Sequence, residues 1–174
     1  MATPLPTESA QTEPVPLGTT VATIAGVLGS PEFPSGDRAK LKRQDPGQPP
    51  SLAFYRFAFR RLPAGWERQQ RAWMTLIAGI ALLGDGAHRP ALALGKALAE
   101  NGYAESRLER LLAADGDTQS TLVLRAYRFL AAKNLGCNQL DFARLLLSTN
   151  PETANSARLA IARAFYSNLK RQRT

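Results

Sequence analysis

Apolar residues return at spacings of three and four in segment after segment of this 174-residue chain, and nowhere do they alternate with period two over the length of a strand. Leu52, Tyr55, Phe59 and Leu62 follow that rhythm, as do Trp73, Leu76, Ile77 and Ile80, then Leu94, Ala97 and Leu98. Leu108, Leu111 and Leu112 repeat it, and so do Leu122, Ala126, Phe129 and Leu130. Such stripes are buried by packing helix on helix. The expected fold is therefore all-α, with about eight or nine helices in two packed bundles.

Prolines, glycines and capping residues divide the pattern. Residues 1–16, with Pro4, Pro6, Pro14 and Pro16 among polar neighbours, read as a flexible tail. A first helix is expected from about Thr19 to Leu28, ended by Gly29 and Pro31. Ser35 is placed as the cap of a basic helix over 36–44, with Asp37 at the positive end of its dipole. Asp45-Pro46-Gly47 and Pro49-Pro50 enforce a turn before Ser51 opens an aromatic helix, whose stripe of Leu52, Tyr55, Phe59 and Leu62 is expected to face inward. Pro63 and Gly65 break it, and a long helix follows from Trp66 to Leu83. Pro90 suits the first turn of the next helix, which Asn101-Gly102 terminates, and Glu105 to Ala113 form another. Asp115-Gly116 marks the end of a first bundle, 17–116, and the second takes 117–174. In it Thr118 and Asn138 are read as caps, and Asn150-Pro151-Glu152 opens a last helix through Ala160, Ala164, Phe165 and Leu169.

The charge points to a polyanion. Lys and Arg number 22 against 14 Asp and Glu, a net +8, and 17 of the 22 are arginine, the side chain suited to bidentate phosphate contact. Residues 35–75 hold nine basic groups and three acidic, and residues 121–174 hold nine and two, bracketing a mildly acidic middle. Arg38 and Lys42, four apart on the basic helix, form a cationic ridge whose self-repulsion a nearby polyanion would relieve. Nucleic acid is thus the leading partner class.

Catalytic and membrane classes find little support. The single Cys137 reads as a small apolar filler, and an internal disulfide is impossible. The longest uncharged apolar run, Ala72 to Gly84, falls short of the ~20 residues needed to span a bilayer, and no signal peptide is recognisable. A soluble, cytoplasmic protein without membrane contact is expected. His88 stands in a polar loop without a second histidine or a nucleophile motif, and Glu105 and Glu109 are expected to ion-pair locally with Arg107 and Arg110. No Gly-rich phosphate loop or nucleophile elbow is present, so no enzyme activity, metal or cofactor is expected. Residues 104–134 could form a helix-turn-helix whose second helix offers Thr118-Gln119-Ser120-Thr121 to base edges.

Gly36-Asp-Arg-Ala-Lys-Leu-Lys-Arg43, the proline-rich spacer, Ala53-Phe-Tyr-Arg56, Leu94-Gly-Lys-Ala-Leu98, Ser106-Arg-Leu-Glu-Arg-Leu-Leu112 and Leu124-Arg125 follow one another in order. Together they resemble the CasB family, the small subunit of the type I-E CRISPR surveillance complex called Cascade, over about residues 19–170. The resemblance implies a non-enzymatic subunit, usually paired head to tail with a second copy. Implied partners are the backbone and large subunits, the crRNA, and the target and non-target DNA of an R-loop. Carried onto this sequence, the family's basic helix falls on Arg38, Lys42 and Arg43, its Leu-Gly-Arg/Lys position on Lys96, its arginine-rich helix on Arg107 and Arg110, and its Leu-Arg pair on Arg125. Lys42 stands where arginine is commoner, which keeps the charge and loses the fork. Arg56 and Arg128 complete the candidate nucleic-acid surface. Two other readings stay open: a free-standing helical DNA-binding regulator, and a protein-only scaffold subunit.

Overall fold

The computed structural model describes residues 13–169, so most of the expected tail, and residues 170–174, lie outside the described residues. Nine helices are formed among them: α1 (Leu17–Gly29), α2 (Ser35–Lys42), α3 (Leu52–Arg61), α4 (Gln70–Leu83), α5 (Leu94–Glu100), α6 (Glu105–Ala113), α7 (Gly116–Ala132), α8 (Gln139–Leu147) and α9 (Pro151–Leu169). A single 3-10 turn, Trp66–Gln69, leads into α4. The fold is all-α, as the apolar spacing predicts.

Helix α4 is the centre because every residue from Trp73 to Ala81 is buried. A helix apolar on all sides must be surrounded, and α1, α2, α7 and α8 pack against it. Each large side chain it buries contributes about 1.5–3 kcal/mol of transfer free energy. Gly79 permits the closest approach, because a methyl there would overlap the ring of Tyr127 from α7. Tyr127 is wholly buried, stacks on Phe142 of α8 at 4.1 Å and donates its hydroxyl to Gln139 Oε1 at 2.6 Å.

The other extensive pairing is α5 on α9. Gly95 makes it possible: any Cβ there would collide with the Ile161 carbonyl oxygen of α9. The apolar core runs from Ile24 and Leu28 of α1 through α4 to Ile161 and Phe165 of α9, so helices on both sides of residue 116 contribute to it. The loop before α5 is sewn to the loop before α8. Cys137 N–H donates to the Ala87 oxygen at 3.1 Å, Arg89 N–H to the Cys137 oxygen at 2.9 Å, and Asp141 Oδ2 accepts the Leu94 N–H at 2.8 Å. Burial pushes the Cys137 thiol far above its usual range, consistent with an inert filler.

Several local expectations are corrected. In α3 the buried face is Ala53, Phe54, Phe57 and Ala58, while Leu52 and Phe59 are 74% and 72% exposed and Tyr55 and Leu62 are half-buried. The helix is apolar on two faces, and spacing alone could not choose between them. Ser35 is the first helical residue after Pro34 and makes no capping bond, and Thr118 lies inside a helix that starts at Gly116. Pro90 sits in a turn, with α5 starting at Leu94. In α9 the inward stripe is Ala157, Ile161 and Phe165, and Ala160 is exposed. The caps at Ser51 and Asn138 are formed, the first accepting Phe54 N–H and the second Leu140 N–H.

Candidate nucleic-acid interface

The proline-rich turn after α2 is held in one shape by Gln44. Its side chain is buried, accepts the Ser51 N–H at 2.8 Å and donates to the Asp45 and Pro49 oxygens, while Asp45 Oδ1 accepts the Gly47 N–H at 2.8 Å. Turning Gln44 inward leaves its neighbours Lys42 and Arg43 exposed. Both line a cleft shared with Arg71 from the first turn of α4 and with Ser120, Thr121 and Arg128 of α7. Arg71 is ion-paired with Asp117 in the same cleft.

A second cleft lies between α6 and α7. It is lined by Tyr103, Arg107, Arg110, Leu122 and Arg125. Arg107 and Arg110 are three apart and share a helix face. Burial pushes the Tyr103 hydroxyl above its ordinary range, and the charges of Arg107, Arg110 and Arg125 pull it back. The three guanidinium groups thus share one cleft with a single phenol. Both clefts draw residues from α7, where Thr121, Arg125 and Arg128 are all exposed and spaced four and three apart.

The structure thus gathers Lys42, Arg43 and Arg128 at one cleft and Arg107, Arg110 and Arg125 at the next. It does not bring in three others. Arg38 turns back onto α1, with Nε donating to the Leu28 oxygen at 3.0 Å and the guanidinium lying over the Phe33 ring at 5.7 Å. Arg56 pairs with Asp37 Oδ1 at 2.8 Å. Lys96 faces Glu100 at 3.8 Å on α5 and lines neither cleft.

Arg71 and Tyr103 escaped the sequence reading. Arg71 was visible within the first basic block, whereas nothing local to Tyr103 announces that arginines from two helices converge on it. The expected pairing of Glu105 and Glu109 with Arg107 and Arg110 is not formed: among the described residues the ion pairs are Arg56–Asp37, Arg71–Asp117 and Lys96–Glu100. Of the four residues proposed to read bases, Thr118 and Thr121 are exposed, while Gln119 and Ser120 are buried and Gln119 donates to the Ala114 oxygen at 3.3 Å. His88 Nδ1 accepts the Gln139 N–H at 3.1 Å, and burial lowers its pKa. No group of three His, Cys, Asp or Glu suited to a metal occurs among the described residues, and no helix there is long and apolar enough to cross a membrane.

Comparison with curated proteins finds no match. The crystal structure of CasB from Thermus thermophilus superposes with a TM-score of 0.69 at 22% identity, covering 88% of this chain and 99% of that one. At that identity the likeness is one of fold. Residues 37–166 match the family model described as CRISPR-associated protein Cse2, a span that includes α3 to α8 and both arginine-lined clefts. The helices, their order and that match place the chain without ambiguity: it belongs to the CRISPR-associated Cse2, or CasB, family.

Proposed function

We propose that this Cascade subunit is the small subunit of a type I-E complex, and that it stabilises the R-loop by sequence-independent phosphate contacts while pairing to the guide RNA supplies specificity. The observation that carries the reading is the pair of clefts that α7 helps to line, one gathering Lys42, Arg43, Arg71 and Arg128 and the other Arg107, Arg110 and Arg125. Among the described residues, only Asp45 and Asp117 oppose these cations within the two linings, and Asp117 is already paired. In this reading the subunit is architectural, not enzymatic. It acts in the cytoplasm beside the backbone and large subunits, a second copy of itself, the crRNA and both DNA strands.

The inward Gln119 and Ser120 speak against a free-standing regulator that reads base edges. Testing needs the assembled complex. With Lys42, Arg125 and Arg128 changed to Gln, the complex is expected to assemble normally and its R-loop to dissociate faster, more so at higher salt. Unchanged R-loop lifetime would sink the proposal, and association that persists after nuclease treatment with unchanged DNA binding would favour the protein-only scaffold.

A further inference from the structure

The cleft between α6 and α7 is more specific than a basic surface. Tyr103 is only 6% exposed, yet its hydroxyl has no hydrogen-bond partner among the described residues. Nor is that oxygen sealed from solvent, since among the described residues the only fully enclosed side-chain nitrogen or oxygen left without a partner is Arg158 Nε. Its ring is fixed edge-on against Phe129 at 5.0 Å, and its backbone is fixed by donation to the Leu98 oxygen at 3.0 Å. A rigid phenol without a protein partner for its hydroxyl therefore lines the cleft.

Three guanidinium groups line the same cleft, and none is ion-paired among the described residues. Arg110 gives Nε to the Ser106 oxygen at 3.3 Å, which steadies it and leaves both of its terminal nitrogens free to donate elsewhere. Among the described residues no carboxylate lines the cleft. Three like charges lining one cleft repel one another, and a bound anion converts that repulsion into charge-assisted hydrogen bonds.

We propose that Tyr103, Arg107, Arg110 and Arg125 form a discrete pocket for a single phosphate group, with the Tyr103 hydroxyl donating to one oxygen and the guanidinium groups to the others. The proposal rests on the nucleic-acid reading above and narrows it. Most of the surface meets backbone phosphates loosely, whereas this pocket fixes the register of one. The phosphate is either an internal diester of a strand or a terminal monoester, since both present negatively charged non-bridging oxygens that accept hydrogen bonds, two in the diester and three in the monoester.

The test uses the isolated full-length chain. Inorganic phosphate is titrated at constant ionic strength and followed by calorimetry, with Tyr103→Phe and Arg110→Gln beside the wild type. Tyr103→Phe keeps the ring contact and removes only the hydroxyl. Saturable one-to-one binding that weakens about tenfold in Tyr103→Phe and further in Arg110→Gln is the expected result. Absence of saturation, or identical affinity in Tyr103→Phe, overturns the pocket. Short single strands with and without a 5′-phosphate then compete against inorganic phosphate. Preference for the phosphorylated strand assigns the monoester and equal competition the diester, either upholding the pocket, while failure of both overturns it. Oligonucleotide binding that keeps its full salt slope in Tyr103→Phe, with phosphate binding absent, would dismiss the pocket and leave the wider reading standing.

Discussion

Arg38 closes the end of α1 by donating from Nε to the main-chain oxygen of Leu28 at 3.0 Å. A second donation, from Nη2, reaches the Ser30 oxygen. A side chain that looks from the sequence like half of a phosphate-binding ridge is thereby committed to holding α2 against α1. Arg38→Gln is expected to lower stability by about 1–3 kcal/mol, because two carbonyls lose a charged donor. Chemical denaturation measures the loss. Salt dependence of oligonucleotide binding is expected to stay as in the wild type, and a reduced slope would return Arg38 to the binding surface.

Lys42, one turn further along α2, behaves oppositely. It is exposed at the cleft that Arg128 lines from α7, and no hydrogen bond or ion pair holds it there among the described residues. Lys42→Gln and Arg128→Gln are each expected to leave denaturation midpoints unchanged. Each is expected to reduce the slope of log affinity against log salt by about 0.7–0.9, the signature of one lost phosphate contact. Equilibrium binding to a fluorescent oligonucleotide at several salt concentrations decides the matter.

The contrast between these two residues shows how far the sequence could be read. Helix existence and type were legible because glycines, prolines and apolar spacing are local signals. Arg38 and Lys42 carry the same local signal, a cation four residues from another, and only the placement of α1 separates their fates. The same holds for α3, where Phe57 is buried and Phe59 exposed. Tyr103 was illegible for a related reason: its role depends on α6 and α7 converging, and its own neighbours are unremarkable.

Gly95 sits within the Leu94-Gly95-Lys96-Ala97-Leu98 segment, and its lack of a side chain is what lets α5 lie against the backbone of α9. The obstacle to a methyl group there is the Ile161 carbonyl oxygen and the Phe165 N–H, which cannot rotate away as a side chain could. Gly95→Ala is therefore expected to cost at least the ~1–3 kcal/mol typical of overpacking, despite alanine's better helix propensity. A thermal or denaturant midpoint equal to the wild type would show that the two helices can separate freely.

Leu52 and Phe59 flank Arg56 on the exposed face of α3, and Phe59 stands edge-on to Trp66 at 5.5 Å. Because water already surrounds most of both side chains, Leu52→Ser is expected to change stability by less than about 0.5 kcal/mol. Phe57→Ala, on the opposite face, is expected to cost about 3–5 kcal/mol. Comparable losses at the two positions would mean that the outer face of α3 is covered in solution.

His88 gives the fold a pH dependence of predictable sign. Burial lowers its pKa from the ordinary 6.5, so the unfolded chain takes up the proton first as pH falls. The stability that neutral His88 contributes is complete above about pH 6.5 and declines as pH drops toward the folded-state value. The protonated ring would also lose Nδ1 as acceptor for the Gln139 N–H, which it holds at 3.1 Å. Asp141, whose carboxyl pKa is raised by burial, changes stability with pH in the opposite sense. Comparing wild type with His88→Asn therefore isolates the histidine, since the amide oxygen can accept the same N–H without titrating. Denaturation free energies between pH 5 and 8 are expected to fall toward acid in the wild type and to run flatter in His88→Asn, and parallel profiles would remove His88 as the titrating group.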